Sequence, residues 1–515
     1  MTKILWADDE IDLLKPHILF LQNKGYEVEK VTNGVDAVDA VKQNRYDVIF
    51  LDENMPGISG LETLSRIKSM QPDVPIVMIT KSEEEHLMED AIGNQIADYL
   101  IKPVNSMQIL LSLKKILDSK QLVTEKTAQN YQQEFRQIGM ELYDVNDFES
   151  WSNVYKKIVY WELELSKSGD TGMDEILAMQ KRDANYAWSK FVKKNFLQFL
   201  KTPDEKTPPM SHTLVKKKIF PLLKNDKPTF VLMIDNLRYD QWKIIQQQLN
   251  EYFNTIVDET YLTILPTTTH YARNSFFAGM LPSEIEKLYP ELWVNEEDDE
   301  GKNIYEEALL NKQMQRLGYK EKISYTKITN LNAGKNLVDS IPNLQNIPLN
   351  AIVYNFVDMI SHARTEMNVM KELAEDEAAY RSITASWFEH SPLFEAIKRI
   401  AQKPARIIIT TDHGSIRVRN PIKIIGDKNT STNLRYKQGR NLNYKESELF
   451  VVKNPGDAFL PKQNVSTTYV FAMSDDFMVY PNNYNYHVGL YNNSFQHGGI
   501  SLEEMIVPFA VLETK

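Results

Sequence analysis

Five short apolar runs punctuate residues 1–120: Lys3–Ala7, Val28–Val31, Val48–Leu51, Ile76–Ile79 and Tyr99–Ile101. Each has strand length, and the stretches between them repeat apolar positions at helical spacing. Continuous apolar strands alternating with amphipathic helices predict a parallel sheet covered on both faces. From 121 to 205 the period changes. Trp151, Val154, Ile158, Trp161 and Leu165 fall on one helix face. Trp188, Phe191, Val192, Asn195, Phe196 and Phe199 fall on another, with Ser168 to Gly172 as the turn between. Stripes of this kind predict a helical bundle with an aromatic core. Residues 201–209 (KTPDEKTPP) read as a Pro-rich charged linker. Beyond it, strand-like runs return at Phe230–Ile234, Ala351–Phe356, Arg406–Thr410, Leu449–Val452 and Phe477–Val479. The prediction is therefore an α/β protein in three parts: a (βα)5 domain over 1–120, a helical bundle over 121–205 and a larger α/β domain over 206–515.

Composition narrows the chemistry. A chain of 515 residues is long enough for two or three cores. It has no cysteine, so any zinc must sit on His, Asp or Glu. A net charge of −11 argues against general binding to phosphate backbones, and no direct binding of duplex DNA is expected. The start, MTKILWADDE, turns acidic at once and does not read as a secretory signal. No apolar run approaches the roughly 20 residues of a spanning helix, so membrane insertion is not expected and a cytoplasmic location is. The acidic run Glu296–Glu300 reads as a solvated loop.

Two constellations carry chemistry. In the first, Asp8 and Asp9 follow the first predicted strand, Asp52 follows the third, Thr80 the fourth and Lys102 the fifth. That edge of a parallel sheet is where ligands bind. Converging carboxylates repel one another unless a hard cation intervenes, and Mg²⁺ suits carboxylates and a phosphate oxygen. Asp52 is then the natural phosphoryl acceptor, Thr80 a donor to a phosphoryl oxygen and Lys102 a counter-charge. The strings WADDE, LDENMPG, MIT and IKP stand in the order and spacing of a receiver domain, and residues 1–120 resemble that family. The resemblance implies phosphorylation of Asp52 by a sensor histidine kinase, Mg²⁺ held by Asp8, Asp9 and Asp52, a cis Lys102–Pro103 peptide, and phosphorylation-dependent homodimerisation. Tyr99 is either plain core or a switch aromatic.

The second set is dispersed: Asp235 after FVLMI, Asp358 and His362 four residues apart, Asp412-His413 after RIIITT, His497 before two glycines, and the string PTTTH at 266–270. Three Asp and three His can furnish two zinc sites, and a Thr hydroxyl beside them would be acidified into a nucleophile. The order resembles the alkaline phosphatase superfamily. The resemblance implies one zinc on Asp235, Thr269, Asp412 and His413, a second on Asp358, His362 and His497, and Thr269 as nucleophile with Thr268 one place away as the alternative. His270 is expected to cap or pack. Arg435, Lys437 and Arg440 (RYKQGR) read as a surface loop that could meet phosphate, and Asn274 as a possible oxyanion donor. Over the whole chain the series looks like that of the PorX regulators, with their PglZ output domain. That resemblance implies control of a zinc phosphodiesterase acting on nucleotides or small oligonucleotides, and a role in type IX secretion. The other reading is a docking module for a sigma factor, with hydrolysis secondary.

Overall fold

The computed structural model describes residues 2–81, 96–117, 119–168, 173–224, 227–295, 301–366, 368–427 and 430–515, with the backbone alone at 119–125, 168, 224, 362–366 and 368–370. The turn predicted at Ser168 to Gly172 and the acidic run Glu296–Glu300 fall outside what is described. The chain divides into two compact units, Met1–Asn130 and Tyr131–Lys515.

In the first unit, β1 (Lys3–Ala7), β2 (Glu27–Val31), β3 (Val48–Asp52), β4 (Ile76–Thr80) and β5 (Asp98–Ile101) form one parallel sheet in the order β2-β1-β3-β4-β5. Side chains alternate between two cores, as period-2 geometry requires. Leu5, Ile49, Leu51 and Met78 face one, while Ile4, Trp6, Phe50 and Val77 face the other. Helices Lys15–Asn23, Gly34–Gln43, Gly60–Met70 and Ser106–Leu117 cover them. Asn33 and Ser59 open two of these helices by accepting the amides of Asp36 and Glu62. Gly60 has no freedom to be larger, since a Cβ there would lie 2.4 Å from the carbonyl oxygen of Asp52.

The second unit is built on a six-stranded sheet. Its strands are β6 (Thr229–Ile234), β7 (Phe253–Leu262), β8 (Ile323–Ile328), β9 (Leu349–Tyr354), β10 (Arg406–Thr410) and a final strand Ile506–Thr514. The order is β7, final strand, β10, β6, β9, β8, with only the final strand reversed. The run predicted at Ala351–Phe356 ends as a strand at Tyr354; Phe356 instead opens the helix Phe356–Glu366. Leu449–Val452 and Asp476–Val479 are strands, but of small accessory sheets.

The helices Ser119–Asp144, Phe148–Ser168 and Asp174–Lys201 carry the predicted aromatic stripes. Trp151 meets Trp188 edge-on at 5.4 Å, and Trp188 stacks on Phe191 at 5.4 Å. These side chains belong to the same contiguous core as Val231, Ile408 and Val511 of the large sheet. The carboxylates of Glu162, Asp240 and Glu377 come close enough to hold an ion. Arg238, Arg381 and Lys181 answer them instead. Among the described residues, no helix is long and apolar enough to cross a membrane.

Trp188 is fully buried where the helical stripes meet the sheet core. Trp188→Ala is expected to destabilise the second unit by about 3–5 kcal/mol. Denaturant titration of the full chain, followed by near-ultraviolet circular dichroism, reads the shift.

Candidate functional sites

In the first unit, Asp8 directly follows β1, Asp52 closes β3, Thr80 closes β4 and Lys102 follows β5. Asp8, Asp52 and Thr80 are buried, while Asp9 is exposed. One oxygen from each of Asp8, Asp9 and Asp52 lies within 4.8 Å of the others. Lys102 Nζ stands between two of them, 2.9 Å from Asp8 Oδ2 and 3.0 Å from Asp52 Oδ1. Burial pushes the Asp52 carboxyl up, and Lys102 opposes it. Burial also works against the Lys102 charge, yet its hydrogen bonds to Asp8 and Asp52 prevail and its pKa rises. The Lys102–Pro103 peptide is cis, as the receiver resemblance implies. Glu53 turns away from the cleft and accepts the Leu61 amide. Tyr99 is half-buried against one core.

The second site forms at the ends of β6, β9 and β10. Asp235 follows β6, Asp358 lies in the first turn after β9, and Asp412-His413 follows β10 by one residue. Asp235, Asp412 and His413 each offer a ligand atom within 4.8 Å of the others, and all three are buried. Thr269 begins a turn of π-helix, Thr269–Arg273, that runs into the helix Asn274–Ala278. Its Oγ1 lies 3.3 Å from Asp235 Oδ1 and 3.2 Å from His413 Nε2. The Thr268 hydroxyl, by contrast, is buried with no hydrogen-bond partner. His413 stacks on His497 with ring centroids 4.3 Å apart. The His413 Nδ1 donates to the Gly414 carbonyl and the His497 Nδ1 to the Thr267 carbonyl. These bonds set both tautomers, as backbone carbonyls do for metal-binding imidazoles. His497 Nε2 is then 3.5 Å from Asp358 Oδ1. The His362 side chain lies outside the described residues.

Sequence reasoning missed three residues here. Arg273, fully buried, directs Nη2 at Asp235 Oδ2 and places Nε 3.0 Å from Asp412 Oδ2. It also reaches Glu306 at 3.5 Å. Its signal was available, because it stands one helical turn beyond Thr269. Asn236 takes a left-handed conformation (φ 62°), which Asn tolerates. From there its Nδ2 donates to Asp358 Oδ1 and its backbone N–H to Asp412 Oδ1. Thr267 accepts the Gly498 amide and donates to the Gly499 carbonyl, pinning the segment after His497.

The donor set suits a cation. Burial pushes Asp235 up to about 7 despite Arg273, with Asp412 and Asp358 adding repulsion. Burial lowers the His413 pKa, keeping the imidazole neutral as a ligand nitrogen must be. Five buried or half-buried carboxylate and imidazole groups (Asp235, Asp358, Asp412, His413 and His497) with one guanidinium leave room for further positive charge.

Other expectations fared differently. The RYKQGR segment is not a surface loop. Arg435 and Lys437 are buried, Arg435 in a two-pronged pair with Glu504 (3.1 and 2.6 Å) and Lys437 donating to the Ser431 carbonyl. Burial lowers Lys437 to about 7. Arg440 alone is exposed. His270 packs, stacking on Trp293 and bonding the Val294 carbonyl. Asn274 spends its amide on the Lys302 carbonyl rather than facing the site.

Three family models match the chain: a response regulator receiver domain over 4–114, a PorX response regulator linker domain over 121–200, and a BREX system PglZ alkaline phosphatase-like domain over 214–512. The last alone spans more than half of the sequence. The chain belongs to the PglZ alkaline phosphatase-like family and is a PorX-type response regulator. Curated relatives include the transcriptional regulatory protein ZraR of Klebsiella oxytoca, 28% identical over 136 residues, which are 26% of this chain and 31% of that protein. Another is the CpxR homolog of Haemophilus influenzae, 32% identical over 119 residues, 23% of this chain and 51% of that one. The PorX-type chain thus spans only about a third to a half of these relatives' length. Among solved structures, the response regulator TrrA of Thermotoga maritima is 31% identical, with 23% of this chain and 100% of that chain covered and a TM-score of 0.21. A receiver domain implies phosphorylation by a sensor kinase, and both site-bearing domain types typically use divalent metals.

Arg273 carries the sharpest structural test. Replacing it with Met leaves Asp235, Asp412 and Glu306 facing one another at a buried point. The metal-free protein is expected to lose about 3–5 kcal/mol. Thermal unfolding with chelator and with divalent cation checks this, and cation should return part of the loss.

Proposed function

We propose that this PorX-type regulator is a phosphorylation-controlled, zinc-dependent phosphodiesterase acting on nucleotides or small oligonucleotides. The observation that carries the reading is the position of Thr269. Its hydroxyl opens a helical turn and sits beside Asp235 and His413, while the hydroxyl of Thr268 does not. Asp235, Thr269, Asp412 and His413 would hold one zinc, and Asp358, His497 and His362 the other. When bound, the pair would acidify the Thr269 hydroxyl and neutralise charge on the phosphoryl group. Thr269 Oγ would then bond to phosphorus as the ester P–O bond breaks, its proton passing to solvent and the alcohol leaving. Water would cleave the phosphothreonine in a second in-line step and restore the hydroxyl.

Two features favour diesters over monoesters. A monoesterase gathers extra positive charge around its substrate. Here Arg273 is consumed by Asp235 and Asp412, and Lys327 by Glu306 at 2.9 Å. Asp52 would be the phosphoryl acceptor, with Mg²⁺ on Asp8, Asp9 and Asp52, and Thr80 and Lys102 contacting the phosphoryl oxygens. Phosphorylation adds about −1.5 to −2 charge to a cleft whose Lys102 already bridges two carboxylates. The resulting rearrangement would favour a homodimer. Control of type IX secretion is the physiological setting that the PorX arrangement suggests.

Thr269→Val is expected to lower hydrolysis of bis-p-nitrophenyl phosphate by at least about a thousandfold, with zinc content near that of the parent. Parental activity in this variant would rule out the nucleophile. Hydrolysis of the diester should exceed that of p-nitrophenyl phosphate. Asp52→Ala should stay monomeric in light scattering when acetyl phosphate and Mg²⁺ are added, whereas the parent chain should dimerise.

A further inference from the structure

Within the second unit, a cavity of about 490 Å³ opens between the Asp174–Lys201 helix and the domain that carries the large sheet. That volume falls in the range of roughly 300–1,000 Å³ typical of small-molecule sites. None of the carboxylate, imidazole or hydroxyl groups assigned to hydrolysis lines it. Its charged lining is uneven in a telling way. Arg182 enters from the helical segment, while Arg417 and Arg419 enter from the strand Ile416–Arg417 and the residues after it. Among the described residues, these three guanidiniums form no ion pair or side-chain hydrogen bond, and the buried Arg417 Nε has no acceptor. Burial holds the Arg417 pKa below its ordinary value, against the pull of Glu377 and, more weakly, Asp376 and Glu375, with Arg419 adding to the lowering.

Most acidic side chains around the cavity are engaged elsewhere. Glu162 pairs with Lys181 and Arg381, and Glu377 with Arg238. Glu503 accepts from Asn185, Asp376 caps the Ala379 amide, and Asp475 accepts from Asn420. Asp174 and Glu175 stand in the first turn of their helix, where the dipole favours negative charge. The three guanidiniums without an ion pair remain, and their planar donors match phosphate oxygens. The remaining wall, from Leu165, Leu177 and Ile416, is apolar.

We propose that this cavity binds an organic phosphate of nucleotide size, its phosphate held by Arg417 and Arg419 and bridged by Arg182 to the helical segment. Such a ligand would also meet the wall that shapes the hydrolytic site. Glu503 lines the cavity, and its backbone carbonyl lies so close to Gly414 that a Cβ there would stand 2.0 Å away. Gly414 is the neighbour of His413. The proposal concerns binding and stands whether or not Thr269 is a nucleophile.

Titration calorimetry of the metal-stripped full chain with adenosine 5′-monophosphate tests it, with inorganic phosphate and adenosine as fragment controls. Binding of one equivalent is expected in the parent and unchanged in Thr269→Val. Arg417→Gln/Arg419→Gln should weaken it by about tenfold or more, the scale of a lost charge-assisted contact. Arg182→Gln, at an exposed position that does not threaten folding, should weaken it severalfold, and each fragment should bind more weakly than the nucleotide. Four results would overturn the proposal: no binding by the parent at millimolar nucleotide, loss of binding in Thr269→Val, a fragment that binds as tightly as the nucleotide, or undiminished binding in either arginine variant. Should the double variant fail to fold by circular dichroism, Arg182→Gln decides alone.

Discussion

Both sites depend on one constraint: carboxylates buried at the carboxyl ends of parallel strands must be neutralised within a few ångströms. In water two like charges at such distances cost little, but at a buried strand edge the penalty rises steeply. Each unit meets this with a cation from a different element of the same unit. Lys102 spans Asp8 and Asp52 at 2.9 and 3.0 Å. Arg273 spans Asp235 and Asp412 with no exposure at all. The two solutions differ in rigidity. A lysine is a point charge on a flexible stem, which lets it follow changes in the groups around it. An arginine fork fixes two carboxylates in one geometry. The receiver site is thus built to change its charge, and the second site to hold its shape.

Arg273 explains more of the local structure than its charge. It lies on the same short turn as Thr269, so the guanidinium that aligns Asp235 and Asp412 also anchors the hydroxyl beside Asp235 and His413. The turn is π-helical rather than α-helical. Its two ends, Thr269 and Arg273, stand four residues apart and meet the same cluster, as i, i+4 neighbours do. Thr267 works from the other side, tying the segment after His497 to the start of this turn.

How much of this the sequence discloses follows from where the physics is local. Four of the receiver strands were legible as apolar runs between clear breaks, and β2 (EVEKV) as an alternation of apolar and charged residues. The central strands of the larger sheet were legible for the same reason. β7 was not, since its polar residues alternate with half-buried ones along an edge. The final strand contains Pro508, which argues against a strand between two others. It is tolerated because Pro508 lies one residue past the last pair with β10, Thr410 with Phe509. Dispersed acidic and histidine ligands could be read from strand-end placement. Their counter-ion had a weaker signal: Arg273 stands one helical turn beyond Thr269, but an arginine in a helix-like stretch carries no mark of burial. Arg435 and Lys437 misled in the same way: RYKQGR has the composition of a surface loop, yet Glu504 and the Ser431 carbonyl draw it inside.

The helical segment sets the terms on which any signal reaches the hydrolase domain. Trp151, Trp188, Phe191 and Phe196 lie in one core with the large sheet, each contributing about 1.5–3 kcal/mol of burial. Ion pairs of Glu162 with Arg381 and of Lys181 with Glu503 fasten it further, as does Asn185, which accepts from the Leu502 amide and donates to Glu503. Allosteric coupling typically amounts to about 1–3 kcal/mol, well below the sum of those contacts. A coupling of that size does not call for the segment to undock. What lies within its reach is a change in assembly, or a small shift of the Asn185–Glu503 contact. Such a shift would pass through Gly414 to His413 without breaking the core.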